Sequence, residues 1–227
     1  MIASMLLCTL MLACSSEEPE WVEGKIYWSF ETAGPVHSSP VLYEDAVFIG
    51  SDDGYLYAIG ARSGKERWRF ATGGGSSSPA VVDGSVYVGS QDGWLYSVGA
   101  NSGTEQWSVY LGSGISGGVA VADGVVYVGA WDRAVYAFDA ETGEELWTYI
   151  TANEIHAAPA VDGGVVYASS WDGKLYALDA ETGEVAWTFK AGDYVSAAPV
   201  VAEGQIFVGG EYEVPTADDG IFHALTP

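Results

Sequence analysis

The sequence predicts an all-β chain folded as a five-bladed β-propeller of four-stranded antiparallel blades, and three observations carry that expectation. Tryptophans recur at Trp28, Trp68, Trp107, Trp147 and Trp187, at spacings of 40, 39, 40 and 40 residues. A glycine stands four residues before each, at Gly24, Gly64, Gly103, Gly143 and Gly183. Beyond the apolar start, no segment sustains the 3.6-residue apolar period of a helix. A repeat of about 40 residues suits one blade of four short strands.

Residues 157–187 show the unit most clearly. Residues 158–161 read as a first strand, and Asp162-Gly163-Gly164 as a turn. Residues 165–169 read as a second strand. Trp171-Asp172-Gly173 closes a hairpin, read as a type I′ turn because Asp-Gly supplies positive φ angles. Residues 174–178 form a third strand. After the turn Glu181-Thr182-Gly183, residues 184–189 form the outer strand with Trp187. Five sets of first, second and third strands begin near Ser39, Ser78, Gly117, Ala158 and Ala198. The first outer strand precedes every set, and the last set has none after it. The N-terminal strand, about residues 25–30, is therefore expected to pair with the C-terminal blade and close the ring, which removes bare sheet edges. The alternative is an arc of a larger ring.

Composition narrows the function. The chain has 227 residues, 48% of them hydrophobic, enough for one well-packed domain. Its formal charge of −23 excludes a nucleic-acid binder, which needs a basic footprint, and opposes adhesion to anionic lipid. The two cysteines are Cys8 and Cys14. Residues 1–13 are apolar or small, too short to span a bilayer, and read as a signal peptide. Leu10-Met11-Leu12-Ala13-Cys14 resembles a bacterial lipoprotein cleavage box, although no Lys or Arg precedes the apolar run. That resemblance makes Cys14 the lipidated first residue, residues 14–23 a polar tether and residues 24–227 the propeller. An ordinary cleaved signal is the alternative.

The segments Ala177-Leu178-Asp179-Ala180-Glu181-Thr182-Gly183-Glu184-Val185-Ala186-Trp187 and 137–147 resemble the tryptophan-docking motif of PQQ-like repeat proteins. The resemblance covers about residues 24–225. It implies that Trp28, Trp68, Trp107, Trp147 and Trp187 pack between blades, and that Gly64, Gly103, Gly143 and Gly183 permit the close approach. The superfamily includes quinoprotein dehydrogenases and non-enzymatic lipoproteins similar to the propeller subunit of the outer-membrane β-barrel assembly machinery. Both groups have eight blades, whereas five are counted here.

The enzyme reading finds little support in the residues. One mature cysteine forms no disulfide. Asp53, Asp92, Asp132, Asp172 and Asp219 recur at hairpin turns, where Asp is a structural residue. His37, His156 and His223 lack metal-ligand spacing. No catalytic residue, metal or cofactor is expected.

One rim does depart from the repeat. His37 and His156 occupy equivalent loop positions before the first strands of blades one and four. Trp131 and Trp171 stand at hairpins where earlier blades have Asp52 and Gln91. Tyr194 lies in the loop leading to blade five, and Tyr212 in an insertion there, since Tyr176 to His223 spans 47 residues. Trp131, Trp171, His37, His156, Tyr194 and Tyr212 are the candidate binding residues. The alternative is that the two Trp rings merely cap neighbouring loops.

The leading expectation is an exported monomeric scaffold of the cell envelope, at the outer membrane or cell surface. It would bind envelope proteins or peptides and touch the membrane only through its lipid. A small-ligand-binding or sensing propeller is the second reading, and a PQQ-dependent oxidoreductase the third.

Overall fold

The computed structural model describes residues 25–211 and 220–226. The residues expected to form the signal, the lipidation site Cys14 and the whole tether lie outside it, as do Tyr212 and Asp219. The described chain is all-β, with five sheets in sequence order. Blade one holds β1 (Val41–Tyr43), β2 (Ala46–Ser51), β3 (Tyr55–Gly60) and β4 (Glu66–Ala71). Blade two holds β5 (Ala80–Val82), β6 (Ser85–Gly89), β7 (Trp94–Gly99) and β8 (Glu105–Tyr110). Blade three holds β9 (Val119–Ala122), β10 (Val125–Gly129), β11 (Ala134–Asp139) and β12 (Glu145–Ile150). Blade four holds β13 (Ala160–Asp162), β14 (Val165–Ser169), β15 (Lys174–Asp179) and β16 (Val185–Lys190). Blade five holds β17 (Val200–Ala202), β18 (Gln205–Glu211) and β19 (Gly220–Leu225). Each sheet is an antiparallel meander.

The inner strands start about two residues later than the sequence suggests. The residues before them bond to the neighbouring blade instead. Ser39 N–H donates to Ser78 Oγ at 2.8 Å, and Ser78 N–H to the Gly117 carbonyl at 3.4 Å. The type I′ turn also sits elsewhere. Two consecutive positive φ angles occur between first and second strands, at Asp83-Gly84, Asp123-Gly124, Gly163-Gly164 and Glu203-Gly204. At the next hairpin only one residue is left-handed, for example Gly173 at φ 82°. Its N–H bonds back to the Ser170 carbonyl.

A bulge in every four-stranded blade explains how the tryptophans leave their sheets. The β15–β16 ladder pairs Ala177 with Trp187 and then Leu178 with Val185, skipping Ala186. The same slip lies beside Trp68, Trp107 and Trp147. Such a bulge twists the strand locally and re-aims its side chain, here toward the following blade. Trp147 lies where a Cβ on Gly183 would come within 2.7 Å of its indole, and Trp107 and Trp68 lie over Gly143 and Gly103 in the same way. Each indole N–H then reaches a carbonyl of that next blade: Trp68 to Ala100, Trp107 to Ala140 and Trp147 to Ala180, at 2.9–3.0 Å. The core consists of four apolar clusters, one between each successive pair of blades.

Pairing of the strand expected at residues 25–30 with the C-terminal blade is not seen among the described residues. The segment carries no strand, and β19 pairs only with β18 among the described residues. Its anchors run to blade one instead. Trp28 N–H donates to the Ala61 carbonyl at 2.8 Å, its ring lies over Gly64, and Phe30 meets Tyr57 edge-on at 5.3 Å. Trp28 thus takes the seat that a preceding blade's tryptophan takes elsewhere, while its own strand stays unpaired.

Candidate functional site

One construction repeats along the rim and positions the candidate residues. The tip of each second hairpin is tied to the loop that leads into the same blade. The backbone N–H of Trp131 donates to Gly114, that of Trp171 to Glu154 and that of Glu211 to Tyr194, at 2.9–3.0 Å. In each loop the residue after the tie is fully buried and anchors it: Ile115, Ile155 and Val195. The following residue, Ser116, His156 or Ser196, is held at the rim beside the hairpin tips.

Blades three to five use this frame to build a continuous stack. His156 lies on Trp171 of its own blade, with ring centroids 3.9 Å apart and planes 22° apart. Its imidazole also stacks on Trp131 of blade three, at 5.6 Å and 29°. Tyr194 of blade five meets Trp171 edge-on at 6.4 Å. Trp131 N–H donates to Ser116 Oγ at 2.9 Å, and Ser116 Oγ lies 3.4 Å from His156 Nδ1. On the other side of the ring, His156 Nε2 is 2.7 Å from Glu154 Oε2. The Trp171 indole N–H is buried and has no hydrogen-bond partner among the described residues.

Four sequence candidates therefore come together: Trp131, His156, Trp171 and Tyr194. His37 does not join them. It is exposed on blade one and pairs with Asp52, at 3.4 Å. Tyr212 lies outside the described residues. Sequence reasoning missed Glu154 and Ser116, which fix the imidazole. The signals were there: Glu154 and His156 alternate in an extended loop and so share a side, and Ser116 is the repeat equivalent of His156. Trp131 also caps a loop, since a Cβ on Gly114 would meet its ring at 2.6 Å.

Glu154, His156 and Ser116 have the composition of an acid–base relay. The geometry does not suit one. Ser116 Oγ is 3.4 Å from the imidazole and already accepts the Trp131 N–H. Three of the repeated hairpin carboxylates are committed too. Tyr57 donates its hydroxyl to Asp53 at 2.8 Å, Tyr136 to Asp132 at 2.6 Å, and Tyr176 to Asp172. These bonds and burial hold the phenols protonated, with burial the larger cause. Tyr57 is pushed up to about 12, and Tyr136 and Tyr176 are raised as well. Among the described residues no three His, Cys, Asp or Glu side chains converge as ligands for a metal ion.

Among solved structures, the fold is similar to BamB from Moraxella catarrhalis. The TM-score is 0.72 at 20% identity, over 87% of this chain and 64% of that one. Quinohemoprotein alcohol dehydrogenase from Comamonas testosteroni is similar with a TM-score of 0.67 at 18% identity, over 77% of this chain and 40% of that one. Quinoprotein ethanol dehydrogenase of Pseudomonas aeruginosa is 40% identical over 55 residues, which are 24% of this chain and 9% of that protein. The chain thus spans 64% of the length of the Moraxella protein, 40% of the Comamonas dehydrogenase and 9% of the Pseudomonas one. The sequence itself matches the family described as outer membrane protein assembly factor BamB over residues 20–114 and 91–218. With most of its length matched, this chain belongs to the BamB family.

Proposed function

We propose that the protein is a non-catalytic scaffold of the cell envelope that holds a segment of another envelope protein against the rim of blades three to five. The observation that carries this is the stack of Trp131, His156, Trp171 and Tyr194, which joins three blades into one aromatic surface. Aromatic rings fixed by a rigid frame lose little entropy on binding and suit an interface anchor. The BamB family supports an envelope setting. In this reading residues 1–13 direct export, Cys14 carries the lipid, and the tether holds the propeller close to the outer membrane or cell surface. The same surface would also take a small ligand, and that is the second reading.

The test uses the full-length protein in its own envelope. Replacing Trp171 with Ala should abolish cross-linked partner recovery, with less loss of melting temperature than Trp147→Ala causes. Unchanged recovery would sink the scaffold reading at this rim. Mass spectrometry of the mature N-terminus should find Cys14 acylated. Added PQQ and Ca²⁺ should give neither quinone absorbance nor dye reduction.

A further inference from the structure

Three of the first four blades consume the carboxylate at the tip of their second hairpin, and blade two does not. Asp53, Asp132 and Asp172 each accept the hydroxyl of the tyrosine four residues on. Each also accepts the backbone N–H two residues on, from Tyr55, Ala134 and Lys174. In blade two the matching residues are Asp92, Trp94 and Tyr96. Tyr96 gives its hydroxyl to the Thr72 carbonyl instead, at 3.3 Å. Among the described residues nothing donates to the exposed Asp92 carboxylate. Its charge is nevertheless close to the Tyr96 ring. After burial, it is the next cause that holds this phenol up at about 12.

Beside this carboxylate blade two presents three rings on one face. Trp94 and Tyr96 alternate along β7 and stack at 6.1 Å and 23°. Tyr110 of β8 pairs with Trp94 across the strands, with ring centroids 5.1 Å apart. Tyr110 is 59% exposed and Trp94 is half-buried. The same positions in two other blades hold cations. In blade one Tyr55 takes the place of Trp94, and the Arg69 guanidinium lies 5.1 Å from its ring centroid. In blade four Lys174 and Lys190 take the places of Trp94 and Tyr110. The Lys174 ammonium lies 5.8 Å from the Tyr176 centroid, and Lys190 donates to the Asp172 carbonyl at 3.2 Å. Blade two has Ser108 where blade one has Arg69. No Lys or Arg occurs between Arg69 and Arg133, so blade two has no cation of its own to lay on its rings.

We propose that the corner formed by Asp92, Trp94 and Tyr110 binds an arginine or lysine side chain carried by a segment of another protein. The ring faces attract a cation through their quadrupole, and the carboxylate adds a Coulomb attraction. Asp92 has no bond within the described chain to give up when the cation arrives. Both strands that carry the rings are paired in the ladder of blade two, so the surface is preorganised. Among blades one to four, only blade two combines exposed rings with a spare carboxylate. Blades one and four supply the cation themselves, and blade three has Ala134 and Ile150 in place of the rings. The net charge of −23 favours a basic segment and opposes an acidic one. Arginine suits the place better than lysine, because a planar guanidinium stacks on a ring and forks onto a carboxylate. The corner is separate from the stack of blades three to five, and a segment can engage it without touching His156 or Trp171.

The probe is the peptide acetyl-Gly-Arg-Gly-amide, set against its citrulline counterpart, which keeps the shape and removes the charge. Nuclear magnetic resonance of the full chain, labelled on its tryptophan nitrogens, follows the indole N–H signals of Trp94 and Trp171. The arginine peptide should shift the Trp94 signal saturably at concentrations that leave Trp171 unmoved. The citrulline peptide should not. Asp92→Asn should weaken the arginine response about two- to fivefold, the range of an exposed ion pair. Tyr110→Leu should weaken it by a similar factor through the lost ring. Asp92 and Tyr110 are both exposed, so each variant should keep the wild-type melting temperature. A Trp94 response that does not saturate, or that citrulline reproduces, would overturn the proposal. So would an Asp92→Asn protein that binds as tightly as the wild type. Equal responses at Trp94 and Trp171 would also overturn it, because they would report the overall negative charge and not a site.

Discussion

The molecule contains two populations of tryptophan, and the difference between them separates what holds the fold from what the fold can offer. Trp68, Trp107 and Trp147 repeat the same three contacts: a glycine under the ring, a carbonyl for the N–H, and an aromatic neighbour at 5.6–5.9 Å. Trp131 and Trp171 share a repeat position but not an environment. One bonds Ser116 and covers Gly114, and the other stacks on His156 with its N–H unsatisfied. Repetition of a complete set of contacts marks a structural part. A ring at a repeated position with contacts of its own marks a surface available for selection.

The sharpest way to test that division is to remove a docking ring. Trp147→Ala should lose about 3–5 kcal/mol, because truncating a buried Trp leaves a cavity and removes its hydrogen bond to the Ala180 carbonyl, which keeps only the Tyr127 hydroxyl. Thermal unfolding would then shift down by roughly 10 °C, at about 2–4 °C per kcal/mol for a domain of this size. Gly183→Ala attacks the same contact from beneath. Its Cβ would sit 2.7 Å from the Trp147 ring on a backbone at φ 73°, and a loss of about 2 kcal/mol or more should follow. If either variant melts like the wild type, docking is not what holds neighbouring blades.

A finer cut compares single atoms. Trp147→Phe forfeits a hydrogen bond and should lower stability by about 1–2 kcal/mol. Trp171→Phe removes an N–H that bonds to none of the described residues, and chemical denaturation should place it within about 0.5 kcal/mol of the wild type. Equal losses for the two would erase the distinction between the populations.

Much of this was legible in the sequence, for a physical reason. The docking residues recur with every unit, so a spacing of about 40 residues exposes them without any knowledge of contacts. Trp131, Trp171, His156 and Tyr194 were visible by the opposite signal, as departures from the repeat. Glu154 and Ser116 were not, because a polar loop residue looks ordinary until its neighbour across the blade boundary is known. Pairing of residues 25–30 with the last blade is not seen among the described residues, and counting strands gives the number of blades and not the angle between them. That angle depends on side-chain volume at each interface. The type I′ turn was misplaced because Asp-Gly satisfies several turns, and only the φ angles at Gly163 and Gly164 distinguish them.

The smallest expected effect separates interior from rim by pH. Burial raises the phenols of Tyr87, Tyr96, Tyr127 and Tyr167, with Tyr96 reaching about 12, and Tyr57 is raised similarly. An unfolded tyrosine ionises near 10. The folded state therefore keeps protons that the unfolded chain releases. The stability this contributes is complete below about pH 10 and declines as pH rises from 10 toward 12. Ultraviolet titration should show the blade tyrosines ionising only as the fold is lost. Early ionisation of Tyr96 in the intact protein would contradict its placement.

The docking bonds have one further consequence. Each of Trp28, Trp68, Trp107 and Trp147 reaches a carbonyl 32 or 33 residues ahead and a glycine 35 or 36 residues ahead, both in the next unit. A blade consults only its successor. Gene duplication or deletion of one such unit would leave every surviving junction chemically unchanged, so copy number can drift in evolution without passing through a broken intermediate.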